Sequence, residues 1–174
     1  MKSAYNNFLP FTFCLLILTS CSVNKANNDE SLKKYFDENK VEGCFTMLNN
    51  ADGEVTVYNM KYDTMRFSPA STFKIFNSLV GLQTGIITDE KMVIKWDGVK
   101  RWNADWNKDM DMTEAFKVSS VPYYQEVARR IGKDTMQKWL NLVKYGAKSD
   151  TDKIVIKTTI DSFWLDNSLK VTPD

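Results

Sequence analysis

One short stretch of the sequence combines a candidate nucleophile with a candidate base. Ser71 and Lys74 are three residues apart, and the side chains that follow them are largely apolar. Positions i and i+3 of a helix share one face, so the Lys74 amine can reach the Ser71 hydroxyl. Two other Ser-x-x-Lys stretches begin at Ser22 and Ser31, but their polar surroundings would keep the lysine protonated. Only the pair at Ser71 has the apolar surroundings that lower the pKa of a lysine.

The residues around this pair predict the helix that must position it. Pro69 is typical of a helix start, and an apolar face continues from Phe73 to Leu82. Gly85 is a suitable residue to end the helix. The result would be a nucleophile with its base one helical turn away. The alternative is a capped helix start whose lysine extends into solvent, and the stretch alone leaves both interpretations open.

The composition limits the classes of function. The chain has 174 residues, enough for one domain or for part of a larger one. Its 23 basic and 22 acidic residues balance, so the totals do not indicate a nucleic-acid partner. The sequence has no histidine, which excludes Ser-His-Asp and Cys-His catalysis and the usual zinc sites. A serine nucleophile here needs another base, and we expect no metal and no bound cofactor.

The N-terminal residues have the features of an export signal. Lys2 supplies a positive charge, and the apolar run 8–18 is too short to span a bilayer. The run ends in Leu-Thr-Ser-Cys, which resembles a bacterial lipoprotein cleavage box. We expect 1–20 to be a signal peptide, Cys21 to carry lipid and 21–31 to form a flexible tether. An ordinary signal peptide that happens to contain a cysteine is the alternative.

Cysteine usage agrees with an exported, anchored protein. Once the predicted signal is removed and Cys21 is acylated, Cys44 is the only cysteine left. No internal disulfide can then form, so the domain must be stabilised by its core. The expected location is the periplasm or the outer membrane, with the membrane reached only through the lipid.

Beyond the tether, the pattern predicts a mixed α+β domain over 32–174, in which two strands precede mostly helices. The runs Gly43–Leu48 and Glu54–Asn59 predict an antiparallel hairpin, joined by a loop with an Asp-Gly turn signal. Short helices are expected at Leu32–Asn39 and at 112–117. Two strands are few for so large a helical region.

Two further helices and two irregular stretches are predicted towards the C-terminus. Pro122 favours a helix over 123–131, and an Asp-Thr-Met-Gln capping box opens another at Asp134. The stretch 95–112 holds three tryptophans without a clear period. We expect a loop pinned onto the core by these rings, with a ligand-stacking surface as the alternative. Residues 153–159 suit a strand or an extended loop.

The order of the motifs resembles one enzyme family. Ser-Pro-Ala-Ser-Thr-Phe-Lys (68–74) is followed by Ser-Ser-Val-Pro (119–122), Tyr-Gln-Glu-Val-Ala-Arg (124–129), Tyr-Gly (145–146) and Phe-Trp-Leu (163–165). Together they resemble the class D, oxacillinase-type β-lactamases, serine hydrolases of the penicillin-recognising group. The similarity extends from about Gly43 to Pro173. It implies a β-lactamase/transpeptidase-like fold, a small-molecule β-lactam substrate and a role in antibiotic resistance.

The resemblance also implies a role for each matching residue. Ser71 would form an acyl-enzyme, and Lys74 would be N-carboxylated by CO2 and act as general base. CO2 adds only to a neutral amine, so the apolar surroundings of Lys74 fit this modification. Ser119 would pass a proton towards the lactam nitrogen. The carbamate would be covered by Val121 and would accept a hydrogen bond from the Trp164 indole N–H.

The sequence departs from the family pattern in two places. Tyr145-Gly146 is followed by Ala147, where the family has asparagine, so an amide side chain near the site is missing. No Lys-Thr-Gly motif follows Trp164, and the Lys-Thr-Thr of 157–159 precedes it. In the family that later strand binds the substrate carboxylate, supplies the second oxyanion donor and forms part of the sheet. The C-terminal strands are therefore expected to be missing and the fold to be partial.

Three functions are compatible with this pattern. The main expectation is a class D-like β-lactamase in incomplete form. The alternatives are a penicillin-binding sensor domain that is acylated without turnover, and an inactive truncated remnant. The sequence does not indicate an oligomeric state.

Overall fold

In the described part of the chain the fold consists of a small sheet and six α-helices, which confirms the predicted α+β class. The computed structural model describes residues 26–149 and 151–173, so the predicted signal peptide 1–20 and Cys21 lie outside the described residues. The sheet has the strand order β1 (Ala26–Asn28), β3 (Val55–Tyr58), β2 (Phe45–Leu48). Strand β1 runs parallel to β3, and β2 runs antiparallel to it.

Strands β2 and β3 form the predicted hairpin. Phe45 lies opposite Tyr58, and the strands stay in register to the pair formed by Leu48 and Val55. The turn closes because the Gly53 N–H donates to the Asn49 carbonyl at 2.8 Å, with Gly53 at a φ of 75°. A positive φ is accessible to glycine without steric cost, which is why the Asp-Gly signal predicted this turn.

Strand β1 differs from the expectation of a flexible tether over 21–31. Its three residues pair with β3, and Asp29 then opens a 3-10 turn at Glu30–Leu32 by accepting from the Ser31 N–H at 3.0 Å. The polar composition of this segment suggested a chain without structure. A strand can nevertheless form from polar residues, because the backbone of β3 supplies hydrogen-bond partners whatever the side chains are.

The helices are α1 (Lys33–Asn39), α2 (Met60–Asp63), α3 (Phe73–Gln83), α4 (Met112–Lys117), α5 (Val121–Ile131) and α6 (Lys133–Leu142). All but α2 were predicted, and they occur in the predicted order. Asp111 caps α4 by accepting from the Glu114 N–H at 2.8 Å. Helix α5 begins where Ser120 accepts from the Tyr123 N–H, and it ends at Gly132, whose φ is 80°.

The core of the molecule lies among the helices, not under the sheet. One cluster of buried apolar side chains joins α3, α4, α5 and α6 with the stretches around Ile94, Ile156 and Phe163. Tyr58 of β3 is buried against Phe36 of α1, with ring centroids 4.7 Å apart, and is not part of that cluster. The helical region therefore positions the candidate site largely without the sheet.

The predicted capping box at Asp134 does not form. Helix α6 begins one residue earlier, at Lys133, and has no side-chain cap. Gln137 instead binds the extended segment beside it, donating to the Ile154 carbonyl and accepting from the Ile156 N–H at 2.7 Å. A glutamine that satisfies a neighbouring backbone segment cannot also reach back to its own helix start. Residues 153–159 are accordingly an extended loop and not a strand.

The tryptophan-rich stretch is only partly anchored. The Trp106 indole N–H donates to the Val118 carbonyl at 3.1 Å, which ties the loop to the turn before α5. Trp102 is 87% exposed, so the prediction that all three rings anchor the loop onto the core is wrong for this residue. It lies edge-on to Trp106, with centroids 5.3 Å apart.

Candidate active site

Ser71 lies in a short turn that leads directly into α3. Residues 70–72 form a 3-10 turn, and the α-helix continues from Phe73. The Ser71 side chain is exposed, whereas Lys74, one turn further on, is only 7% exposed. The predicted pairing of an accessible serine with a buried lysine is therefore present in the structure.

Ser119 lies between the two predicted partners. Its Oγ is 2.9 Å from the Ser71 Oγ, and the Lys74 amine donates a hydrogen bond to the same Ser119 Oγ. The sequence suggested that Lys74 would reach Ser71 directly. The structure instead links them through the Ser119 hydroxyl, which can donate and accept at once. Such a chain can carry a proton from Ser71 to Lys74.

The surroundings of Lys74 favour the neutral amine. Burial lowers the pKa of Lys74 from its ordinary value of 10.5, because the charged form loses hydration. Among residues 26–149 and 151–173, no carboxylate forms an ion pair with it. The ring of Phe116 lies 5.9 Å from the amine nitrogen. A partly desolvated amine next to a hydroxyl chain is suited to general base catalysis.

The backbone is strained directly before the nucleophile and at the central hydroxyl of the chain. Ala70, directly before the nucleophile, has a φ of 44°, and Ser119 has a φ of 55°. Residues other than glycine pay about 1–2 kcal/mol for this left-handed conformation. Hydrogen bonds hold both turns in place: the Ala70 N–H donates to the Trp164 carbonyl at 3.0 Å and the Ser119 N–H to the Phe116 carbonyl at 3.2 Å. Strain maintained in this way is typical of functional sites.

Trp164 supports the nucleophile through its backbone and its ring. Its carbonyl accepts from Ala70 N–H and also from the Ser68 hydroxyl at 2.7 Å. Its indole is buried and stacks on Phe73 of α3, with centroids 5.1 Å apart and planes at 18°. Within the part of the chain that the structure describes, no hydrogen bond joins the indole N–H to Lys74. The structure therefore shows Trp164 positioning the Ser71 turn.

Tyr145 packs against α3, and Gly146 follows it in the chain. The Tyr145 ring stacks on Phe76 at 4.8 Å, and burial raises the pKa of its phenol. Gly146 has a φ of 81°, and a Cβ built there would lie 2.8 Å from the Lys170 carbonyl oxygen. Glycine is thus required for the close approach of the C-terminal segment.

Arg66 fastens the same region. Its guanidinium donates to the carbonyls of Gly146 and Lys170, and to that of Ala147 at 3.4 Å. Beside it, the backbones of Phe67 and Val171 exchange two hydrogen bonds of 2.8 and 2.9 Å. These contacts join the segment that precedes the nucleophile to two parts of the chain that are distant in sequence.

Val121 is half-buried and is the first residue of α5, two residues after Ser119. The family resemblance implies that Val121 covers the carbamate on Lys74. Phe116 was not predicted, and its ring lies over the Lys74 amine. The position of Phe116, at the end of a predicted helix and three residues before Ser119, was the available signal. Ser120 caps α5, a role that its place in the Ser-Ser-Val-Pro motif did not predict.

Two cavities flank the site. A groove of about 690 Å³ runs past Pro69, Thr72 and Tyr145. A smaller cavity of about 320 Å³ lies between the tryptophan loop and α5 and is lined by Trp96, Trp106 and other residues. Ser71 lines neither of them and stands at the surface, where an electrophile can approach it.

Other classes of site find little support in the described residues. Over 26–149 and 151–173, no group of three or more acidic or cysteine side chains could hold a metal ion. In that same part of the chain, no helix has both the length and the apolar character needed to cross a membrane. The Ser71–Ser119–Lys74 chain is thus the chemistry that the structure displays most clearly.

Known proteins are similar to this sequence over most of its length. A family model described as the penicillin binding protein transpeptidase domain matches residues 43–174. Beta-lactamase OXA-5 of Pseudomonas aeruginosa is 40% identical over 153 residues, which are 88% of this chain and 53% of that protein. The chain therefore spans about half the length of this curated relative.

Solved structures share the fold. FUS-1 (OXA-85), a class D β-lactamase from Fusobacterium nucleatum subsp. polymorphum, matches with a TM-score of 0.75 and 37% identity over 84% of this chain and 58% of that chain. The C-terminal domain of the Bacillus licheniformis BlaR penicillin-receptor matches with a TM-score of 0.76 and 32% identity, over 85% and 57%. The expected partial β-lactamase/transpeptidase-like fold is confirmed. The chain belongs to the penicillin binding protein transpeptidase domain family, and its relatives in that family include the class D β-lactamases.

Proposed function

We propose that this chain is a class D-like serine β-lactamase that opens the β-lactam amide through an acyl-enzyme at Ser71. The observation that carries the proposal is the hydroxyl chain, in which Ser119 Oγ contacts both Ser71 Oγ and the Lys74 amine. The relatives named as β-lactamases support the same chemistry. An exposed serine linked through a second hydroxyl to a buried amine of lowered pKa is suited to attack on an activated carbonyl.

The proposed reaction begins with proton transfer along this chain. Ser71 Oγ attacks the lactam carbonyl carbon while its proton passes to Ser119, and Ser119 gives a proton to Lys74. The C–N bond of the tetrahedral intermediate then breaks, and the lactam nitrogen takes a proton from the chain by way of Ser119. The product is an ester on Ser71, which water must hydrolyse.

We further propose that Lys74 is N-carboxylated by CO2. Its buried side chain and lowered pKa keep a fraction of the amine neutral, and only the neutral amine adds CO2. A carbamate would supply an oxygen base for acylation and for attack by water. Val121 and the Trp164 indole are the proposed neighbours of this group. No other cofactor is needed.

A chromogenic β-lactam provides the direct test. The full chain, with and without added bicarbonate, is incubated with the lactam, and absorbance and intact mass are followed. We expect a mass adduct on Ser71 and hydrolysis that bicarbonate accelerates. Ser71→Ala should abolish both, and Ser119→Ala should slow adduct formation by about 10²–10⁴-fold, the range for a positioned proton-transfer group. Absence of both adduct and hydrolysis in the wild-type chain would refute the proposal.

A second candidate function is a penicillin-binding sensor that is acylated without turnover. The likeness to the BlaR penicillin-receptor domain favours it, because that solved domain matches this chain as well as the lactamases do. An adduct on Ser71 that persists for hours with no released product would support the sensor. An inert chain would give no adduct and no cooperative thermal transition.

The N-terminal residues suggest where the protein is located in the cell. We propose that 1–20 is a signal peptide, that Cys21 is lipidated and that the domain faces the periplasm, where it would protect the cell from β-lactams. Labelling of cells with a palmitate analogue should modify the wild-type chain but not Cys21→Ala. Label on both variants, or on neither, would count against the lipid anchor.

A further inference from the structure

Asn77 is an unusual residue in the helix that carries the site. It lies one turn after Lys74 on the same side of α3, and it is fully buried at 0% exposure. Its Nδ2 donates to the Tyr124 carbonyl of α5 at 2.9 Å. Among the buried side-chain nitrogen and oxygen atoms of residues 26–149 and 151–173, its Oδ1 is the one without a hydrogen-bond partner.

An unpaired buried acceptor lowers stability, so it needs another reason to be there. A leucine of nearly the same size would avoid the desolvation cost of the amide oxygen. What leucine could not do is donate across the helix interface. Helix α5 starts two residues after Ser119, so the bond between Asn77 and Tyr124 fixes α5, and with it Ser119, relative to α3.

We propose that Asn77 is a positioning residue for the reaction. Its Nδ2 clamps α5 to α3, so that Ser119 stays within reach of both Ser71 and Lys74. Its amide does so without placing a charge beside the lysine. Asparagine is the residue type that supplies a donor of this length and remains neutral at every pH. The inference rests on the proposed acylation of Ser71 for one of its two tests.

The charges of the surrounding elements show why neutrality at position 77 matters. On α4, Glu114 is paired with Lys108, and on α5, Glu126 is paired with Arg129 and Arg130. Lys117 of α4 is exposed. None of these groups is paired with Lys74, and the cause of its lowered pKa is burial. A carboxylate on the next turn of α3 would be the nearest charge and would hold the lysine protonated.

The neighbouring residue Ser78 offers a matched control. It is also buried, and its Oγ lies 3.0 Å from the hydroxyl of the same Tyr124. Ser78→Ala removes a bond across the same helix interface without touching the α5 backbone. Because it leaves the Tyr124 hydroxyl unpaired, it should lower the melting temperature.

The first test separates positioning from stability. Asn77→Leu and Ser78→Ala are compared with the wild-type full chain for melting temperature and for the rate of adduct formation at Ser71. We expect Asn77→Leu to keep its melting temperature and to acylate at least about tenfold more slowly. Ser78→Ala should melt lower and acylate at the wild-type rate. Equal acylation rates for Asn77→Leu and wild type would overturn the clamp.

The second test does not depend on any reaction. The Lys74 amine is titrated by NMR in lysine-labelled wild type and in Asn77→Asp, with Lys74→Met used to assign the signal. A carboxylate this close to a buried lysine should raise its pKa by about one unit or more. An unchanged midpoint in a folded Asn77→Asp would refute the need for a neutral side chain. If the aspartate variant does not fold, the uncharged Asn77→Leu is titrated instead and must show no upward shift.

The two tests distinguish failure of the inference from failure of the proposed function. A wild-type chain that forms no adduct refutes the acylation, and the titration then decides alone whether Asn77 keeps the environment of Lys74 free of charge. If the wild-type chain acylates, and Asn77→Leu acylates at the same rate and Asn77→Asp has the same Lys74 midpoint, only the role of Asn77 is refuted.

Discussion

At the scale of single residues, the site depends on one shared hydroxyl. Ser119 Oγ is the only atom that contacts both Ser71 Oγ and the Lys74 amine within the described chain. The backbone of Ser119 has a positive φ, which is a strained conformation for serine. The position of its hydroxyl therefore depends on the turn that holds this conformation. Lys74 is the last member of the chain, and its burial lowers the pKa of its amine.

Burial of Lys74 should make the stability of the fold depend on pH. Its pKa is lowered in the folded state, so between that value and 10.5 the unfolded chain binds more protons than the folded one. The free energy of unfolding therefore rises with pH across this window. We expect Lys74→Met to be more stable than wild type at pH 7 by about 1 kcal/mol, since stabilising changes at functional sites are of this size. The gap should narrow as the pH approaches 10.5.

Urea unfolding at several pH values measures this difference. Lys138→Met provides the control, because Lys138 is exposed on α6 and its replacement should change neither the stability nor its pH dependence. A Lys74→Met chain that is less stable than wild type at pH 7 would show that the amine stabilises the fold, contrary to the expected cost of its burial.

At the scale of elements, the nucleophile is presented by a turn that the rest of the fold holds in a strained shape. Ala70 adopts its φ of 44° because the Trp164 carbonyl accepts from its N–H and the Trp164 ring is stacked on α3. The α4–α5 connection holds Ser119 in the same way, between the carbonyl of Phe116 and the cap at Ser120. Each half of the site thus depends on a short connection before a helix.

Replacing Ala70 by glycine should relieve the strain. Glycine adopts a positive φ freely but loses more entropy on folding, so we expect the free energy of unfolding to rise by about 0.5–1 kcal/mol. The matched change Ala104→Gly, in an exposed 3-10 turn without a positive φ, should instead cost about 0.5–1 kcal/mol. Chemical denaturation of the two variants checks the opposite signs. A loss of stability for Ala70→Gly equal to that for Ala104→Gly would mean that the turn is unstrained.

The elements were largely predictable, and the contacts between them were not. The hairpin, the capped helix α4 and the glycine at the end of α5 each carry a local signal, such as Asp-Gly, Asp111 or Gly132. Strand β1 has no such signal, because its partner β3 supplies the hydrogen bonds. Gln137 fits a capping box, but its side chain binds the backbone of a segment nearly twenty residues away. A local sequence pattern cannot predict a contact at that separation.

The site was predictable in its members but not in its connections. Ser71, Lys74 and Ser119 were found from residue types, apolar context and family resemblance. That Ser119 lies between the other two depends on how α5 docks on α3, which is a matter of tertiary packing. The carbonyl of Trp164 and the ring of Phe116 were missed because backbone groups and common apolar residues give no signal in a single sequence.

At the scale of the whole molecule, the sheet and the helical core are nearly independent. The buried cluster contains no residue of β1, β2 or β3. Strand β2 lies at the edge of the sheet, and Phe45, Met47 and Leu48 on it are exposed by 43–55%. The buried residues of the sheet, Val57 and Tyr58, lie outside the helical core, so the sheet can open separately from that core.

Hydrogen exchange should reveal this difference. We expect the backbone amides paired between β2 and β3 to exchange at least about tenfold faster than those of α5, because the strands can open without disturbing the helical core. Mass spectrometry of exchanged peptides resolves the two regions. Equal protection of strands and helix would show that they unfold as one unit.

The contacts of Arg66 should hold the C-terminal segment in place even when the peptide chain before it is cut. One guanidinium holds carbonyls that lie 80 and 104 residues further along the sequence, and Phe67 and Val171 add two backbone bonds beside it. Lys148, Ser149 and residues 151–153 are exposed, so a protease can reach this connection. A protease site inserted after Ser149 should give two fragments that separate on a denaturing gel but elute together in buffer. The C-terminal segment would then remain as a noncovalent subunit, held both by the turn that carries the nucleophile and by Gln137 of α6.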